Sequence, residues 1–321
     1  RKFIDMYAGR LRNQVSFMLS ACNFYMPIFE EALDAYGLPL ELRYLPIIES
    51  ALNPSAVSRA GASGLWQFMI GTGKIYGLES NSLVDERRDP IKATWAAARY
   101  LKEMYDIYGD WNLVIAAYNC GPGTINKAIR RANGETDYWK IYNYLPKETR
   151  GYVPAFIAAN YVMTYYCDHN ICPMETNIPA STDTVQVNKN LHFEQIADLC
   201  NVPLDQIKSL NPQYKKQMIP GDSKPYTLRL PIDAISTFID KQDTIYTHRA
   251  DELFRNRKTV AVKDITPATR KTTSAVAGKG NLTYYTIKSG DTLSTIARKY
   301  GVTIKDIQRW NGMSSTKIAA G

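Results

Sequence analysis

The sequence predicts a mainly α-helical domain over residues 1–175, followed by small units of β-α-α-β type. Three observations carry that expectation. Apolar residues recur at helical spacing through the first half, and helix start and stop signals punctuate them. A short strand–helix–helix pattern then appears twice in the second half. With 321 residues, 45% of them hydrophobic and 22% charged, the chain can hold several domains and at least one buried core.

Val15, Met18, Leu19, Cys22 and Tyr25 share one helical face, which Phe29, Ala32, Leu33 and Tyr36 continue. Gly37-Leu38-Pro39 closes that helix and opens the next. Residues 42–52 read as a helix with Glu49 in its last turn, broken by Asn53-Pro54. Five glycines between Gly61 and Gly77 make the following stretch loop and short helix. Asp89 caps, and Pro90 begins, a strong helix through Ala93, Ala97, Leu101 and Met104. Asp110 opens another over 111–119, closed by Gly121-Pro122-Gly123, and helix resumes over 124–132. Leu145-Pro146 starts a short helix carrying Glu148 and Tyr152, and 154–166 reads as a separate one after Pro154.

Beyond Pro179, Val185-Gln186-Val187 starts a strand, 192–199 and 203–210 read as helices, and 226–230 as a closing strand. The order recurs with a strand at 284–287 and helices at 292–300 and 304–310. Gln195-Ile196-Ala197 matches Thr295-Ile296-Ala297, and Leu210-Asn211 matches Trp310-Asn311. The expected divisions are the helical domain at 1–175, a first repeat at 181–233, a flexible basic linker at 234–282 and a second repeat at 283–321 that lacks its closing strand.

The formal charge of +8 favours anionic surroundings without choosing among them. No nucleic-acid motif accompanies the charge, so nucleic acid is set aside. No apolar run reaches the about 20 residues of a membrane span, and no signal-like segment opens the chain. Arg1 starts abruptly in helix-like sequence, as a processed start would, and a membrane anchor outside this chain stays open. Three scattered histidines and the absence of a Cys-x-x-Cys pair give no expectation of a metal or other cofactor. Cys167 and Cys172 are near enough in sequence to pair in an oxidising compartment, with free thiols the equal alternative. Gly71-Thr72-Gly73-Lys74 looks like the end of a phosphate loop, but Phe68 and Ile75 break that pattern at both ends, so no nucleotide is expected.

The chemistry centres on Glu49. An apolar run from Tyr44 to Ile48 leads into it, and no other Asp or Glu follows until Glu79. An acid buried beside apolar residues has its pKa raised, as a general acid near neutral pH requires. Gly61, Gly64, Leu65, Trp66 and Gln67 then offer close backbone approach, an aromatic surface and a neutral amide. Tyr118-Asn119 puts a phenol and an amide at a helix end, and Glu148 and Tyr152, four apart, share one helical face.

These pieces, in this order, resemble the lytic transglycosylases of the goose-type lysozyme-like superfamily over residues 10–165. The matching stretches are Glu49-Ser50, the run from Ala60 to Met69, Ala116-Ala117-Tyr118-Asn119, and Leu145-Pro146 through Glu148, Arg150 and Tyr152 to Pro154. Ile70 and Cys120 depart from the family's usual proline and alanine without removing a polar group. The resemblance implies a lysozyme-like catalytic domain that cleaves peptidoglycan glycan strands with one acid and no water. It implies Glu49 as the catalytic acid, with Ser58, Gln67 and Tyr118 holding substrate and Asn119, Glu148 and Tyr152 lining or bracing the site. It further implies a monomer working in the periplasm, within the bacterial envelope. Glu148 as a second carboxylate would instead revive hydrolysis, and a non-catalytic peptidoglycan-binding scaffold is the alternative from another class.

The two repeats resemble LysM domains, whose family binds N-acetylglucosamine portions of peptidoglycan or chitin. In the second, Gly290-Asp291-Thr292-Leu293 carries the signature, making Gly290, Asp291 and Thr292 the expected glycan contacts. The first reads Asn188-Lys189-Asn190-Leu191 at that place, so a sugar-binding and a purely structural role are both open.

Overall fold

The computed structural model describes residues 1–176, 178–179, 181–254, 292–300, 304 and 307. It divides into two units, Arg1–Asp264 and Ile265–Gly321. In the first, helix α1 (Lys2–Asp5) runs through a π turn at Met6–Arg10 into the long α2 (Arg12–Ala35). A 3-10 turn at Leu40–Tyr44 feeds the short α3 (Leu45–Ser50), and α4 spans Ile70–Ile75. The Asp89 carboxylate accepts the amides of Ile91 and Lys92 and so caps α5 (Pro90–Tyr108), as the Asp-Pro pair predicts. Asp110 caps α6 (Trp111–Cys120) through the Leu113 amide. Then come α7 (Pro122–Arg131), α8 (Tyr138–Ile141) and α9 (Lys147–Thr164).

Helix α2 packs on α5, and α6 lies against both α5 and α9. Phe29, Leu33, Leu65, Trp66, Leu101 and Val162 are fully buried between them. Each such side chain stabilises the fold by about 1.5–3 kcal/mol. The expected break at Pro154 does not occur, because 147–164 is one helix. Proline has no N–H for the carbonyl four residues back, which is Arg150 O. Tyr138, held in the core, donates its hydroxyl to that carbonyl at 3.1 Å and to Thr149 O at 3.3 Å. A long-range donor thus replaces the helix's own, and the helix continues.

The β-α-α-β order at 181–231 is present. Strand β1 (Thr182–Val187) pairs antiparallel with the later strand Tyr226–Pro231, Val185 opposite Leu228. Between them lie β2 (Asn190–His192), α10 (Phe193–Cys200), α11 (Leu204–Leu210) and β3 (Met218–Pro220) before that closing strand, β4. The β2–β3 pair, Leu191 opposite Ile219, was not foreseen. Residues 234–254 are not linker, which corrects the expected boundary. They form α12 (Ile232–Asp240), α13 (Gln242–Thr247) and α14 (Ala250–Phe254). Phe238 and Ile245 from that stretch are fully buried against Phe193, Ile196 and Leu228. Two apolar anchors seven residues apart are enough to dock helices that look polar in sequence.

All five thiols, Cys167 and Cys172 included, are free. In the second unit, α15 (Leu293–Tyr300) matches the expected first helix, with Thr292 donating its amide to Thr295 Oγ1 at 2.9 Å. The expected strand at 284–287, Gly290, Asp291 and the rest of the linker lie outside the described residues.

Candidate active site

Helix α3 is only six residues long and stops just past Glu49. Ala51 and Leu52 both take left-handed backbone, at φ 51° and 58°, although neither is glycine. Such strain is held only where surrounding structure enforces it, and it gathers at functional sites. Leu52 is buried, and Ser50 Oγ ties α3 down by donating to Pro46 O at 3.0 Å and Leu65 O at 2.9 Å.

The second wall is the loop 53–69. The Ser58 amide donates to Ala62 O at 2.9 Å, and the Ala62 amide donates to Ser58 Oγ at 3.0 Å. Gln67 sits at φ 49°, and its Nε2 donates to Gly64 O at 2.9 Å and Ala56 O at 3.3 Å. That leaves the Gln67 carbonyl oxygen as an acceptor. Gly64 has φ 88°, and a Cβ there would lie 1.7 Å from Arg87 O, so only glycine fits. Behind the loop, Trp66 is completely buried, donates Nε1–H to Thr94 Oγ1 at 2.8 Å and packs edge-on to Phe29.

Between these walls lies a cleft of about 500 Å³ lined by Glu49, Ser50, Ser58 and Gln67. Ile47, Ile48, Ala51, Ala56 and Val57 extend those two walls, and the facing wall comes from Met6, Tyr7, Leu11, Gln14 and Met18. Sequence reasoning treated those positions as ordinary helix. The available signal was Gly9 inside an apolar helical pattern; π turns of the kind found at Met6–Arg10 often mark functional sites.

Tyr152, from α9, donates its hydroxyl to Glu49 Oε1 across 103 residues of sequence. Tyr118, at the end of α6, donates to Trp66 O at 2.7 Å. Burial raises the Glu49 pKa to about 7, the Tyr152 hydrogen bond opposes the rise, and the charge of Glu148 adds to it. Burial, and then the Glu49 charge, also hold Tyr118 and Tyr152 well above the usual phenol range, so both remain O–H donors. Burial pushes the nearby Tyr7 up to about 12.

The structure therefore brings Glu49, Ser58 and Gln67 to one cleft, with Tyr152 on the acid and Tyr118 on the backbone of the adjoining loop. Asn119 faces elsewhere: its Oδ1 accepts the Thr149 hydroxyl at 2.9 Å, tying α6 to the start of α9. Glu148 is exposed in the first turn of α9 and is absent from the cleft wall, acting on Glu49 through its charge. Thr292 is exposed in the other unit, and its Oγ1 accepts the Thr295 amide at 3.2 Å.

The helical domain thus sets one carboxyl, Glu49, on the wall of a cleft beside a glycine-bearing loop. Residues 26–141 match the transglycosylase SLT domain. Residues 181–247 match the lytic transglycosylase MltD, LysM-like domain, and 285–321 the LysM domain. Membrane-bound lytic murein transglycosylase D of Escherichia coli is 33% identical over 289 residues, covering 89% of this chain and 59% of that protein. The chain thus spans under two thirds of that relative's length. The soluble lytic murein transglycosylase of the same organism is 33% identical over 124 residues, covering 37% of this chain and 19% of its own. The solved 70 kDa soluble lytic transglycosylase of Escherichia coli aligns at TM-score 0.39 with 29% identity, covering 44% of this chain and 24% of its own.

Proposed function

We propose that the chain is a peptidoglycan lytic transglycosylase. It cleaves the β-1,4 bond between N-acetylmuramic acid and N-acetylglucosamine and leaves 1,6-anhydromuramic acid ends. The observation that carries this reading is Glu49: one carboxyl on the cleft wall, raised to about 7 by burial and hydrogen-bonded by Tyr152. At neutral pH a large fraction of Glu49 is protonated and can donate.

In the first step the Glu49 proton passes to the glycosidic oxygen as the C1–O bond breaks, releasing N-acetylglucosamine as an alcohol. The muramic acid is left as an oxocarbenium-like or oxazolinium species, assisted by its own acetamido group. The Glu49 carboxylate then takes the proton from the 6-hydroxyl of the same sugar, and that oxygen closes on C1. Acid and base are one group at two moments, so no second carboxylate and no water are consumed. Ser58 and Gln67 offer a hydroxyl and an amide carbonyl to hold the sugars, Tyr152 orients the acid, and Tyr118 fixes the loop. Asn119 braces the site from behind. In this reading the enzyme works as a monomer on the periplasmic side of the bacterial envelope, where its substrate lies, and the LysM unit at 283–321 adds glycan contacts through Gly290, Asp291 and Thr292.

Mass spectrometry of digested sacculi tests this reading. Anhydro-ended muropeptides are expected from the wild type and none from Glu49→Gln. Reducing-end products heavier by one water would establish hydrolysis, with Glu148 as the group to suspect. No turnover by the wild type would leave a binding scaffold.

A further inference from the structure

The helical domain and the LysM-like repeat share a seam, and it is built on one segment, residues 79–89. Val84 is fully buried in the second core, not the first, and bridges to Tyr214. The Asp85 amide donates to Gln213 O, and the Lys215 amide to Leu83 O, both at 2.8 Å. Lys215 Nζ reaches Asn81 O at 2.7 Å and lies 3.8 Å from the Asp85 carboxylate. Lys224 pairs with Glu79 at 2.6 Å, and Tyr226 donates to the same carboxylate at 3.1 Å. The repeat thus grips the segment by backbone and side chain at several points.

The other side of that segment holds the cleft loop. Asp85 is 1% exposed and takes Arg87 Nε at 2.9 Å and Nη2 at 2.8 Å, a two-point pairing of carboxylate and guanidinium. Arg87 Nη1 donates onward to Gly61 O at 2.8 Å and Phe68 O at 2.9 Å. These two carbonyls stand at either end of the stretch that includes Gln67. Arg88 Nε adds a bond to Ser63 Oγ at 3.1 Å, and Gly64 packs flat on Arg87 O. One buried guanidinium pins the two ends of the loop, and its orientation is set by a carboxylate whose own backbone is held by the repeat. A fully satisfied buried network of this kind fixes geometry, and loosening one member is felt by the rest.

We infer that the LysM-like repeat positions the substrate loop, acting through Asp85 and Arg87 on the Gly61 and Phe68 carbonyls, the first three residues beyond Ser58 and the second next to Gln67. This rests on the cleft being the glycan site. Its function is then mechanical alignment within one compact unit, with Arg87 as the positioning residue.

The test uses full-length chain carrying Lys215→Ala, Lys224→Ala and Tyr226→Phe together, all on the repeat and none in the cleft. Hydrogen exchange should quicken at the amides of Ser58, Ser63, Gly64 and Gln67, which bond within the loop, while α5 and α6 keep their protection. On soluble uncross-linked glycan strands KM should rise by about tenfold, with kcat within about twofold, because a displaced holding group weakens binding first. Arg87→Lys, which cannot reach both carbonyls, should give the same signature more strongly. Unchanged loop exchange in both variants would overturn the inference. So would a fall in kcat at constant KM, which reports only a smaller folded fraction. Exchange needs no turnover, so the brace is tested even where the proposed reaction fails.

Discussion

Glu49 closes the short helix α3 on the wall of the cleft, whereas Glu148 stands exposed in the first turn of α9. The charge of Glu148 reaches Glu49, yet the surroundings of the two carboxyls differ. Burial at the end of α3 disfavours the Glu49 anion. Glu148, in the first turn of α9, lies exposed and off the cleft wall. The same helix then carries Tyr152 one turn further on, donating to Glu49. Helix α9 therefore supplies both a charge that raises the acid's pKa and a hydrogen bond that lowers it. Environment, not residue type, separates the proton donor from its neighbour.

The largest effect should come from Glu49→Gln. A general acid contributes about 100- to 10,000-fold, and here the same group also serves as the base, so muropeptide release should fall at least that far. Pelleting with sacculi should persist. If Glu148→Gln abolished product as completely, the two acids would be a hydrolytic pair and the contrast between them would collapse.

Next in size is Tyr152→Phe, expected to lower kcat by about tenfold, near 1.4 kcal/mol in the barrier. Its pH signature is more telling. The lost hydrogen bond favoured the ionised form of Glu49, so the alkaline limb of the kcat profile should move to higher pH. Glu148→Gln should do the reverse with a smaller change in rate. It removes a like charge that raises the Glu49 pKa, and the limb should move to lower pH. Opposite displacements from two positions four apart on one helix would be hard to produce by general loosening. Equal displacements would contradict the electrostatic account.

Much of this arrangement was legible in the sequence, and the exceptions share a cause. Asp89-Pro90 and Asp110 announced α5 and α6 because a cap is a local bond between near neighbours. Glu49 stood out because an apolar approach and a gap without carboxylates are also local. Pro154 misled because its missing donor is replaced by Tyr138, distant in the chain. Residues 234–254 passed for linker because Phe238 and Ile245 show their worth only against a core built from β1, α10 and β4. The wall from Met6 to Met18 and the Asp85–Arg87 brace are contacts between segments far apart in sequence, which no periodicity encodes. Helices were read from their ends; the site's supports were not, since they come from packing.

The smallest expected effect concerns stability, and it separates burial of Glu49 from every catalytic role. A carboxyl ordinarily titrates near 4.5, and folding raises Glu49 to about 7. Below the lower value it is protonated in both states and adds no pH dependence. As pH climbs between the two, the unfolded chain ionises first, so folding loses stability until the folded carboxyl ionises as well. Glutamine carries no such penalty. Glu49→Gln should therefore raise Tm at pH 8 and leave it nearly unchanged at pH 4.5. The cleft admits some solvent to the carboxyl, so the gain at pH 8 should be about 1–2 kcal/mol, or about 2–8 °C. Glu148→Gln, which removes only the smaller like-charge contribution to that rise, should give a smaller gain of the same sign at pH 8. An equal rise at both pH values would mean that glutamine merely packs better, and the raised pKa of Glu49 would lose its physical basis.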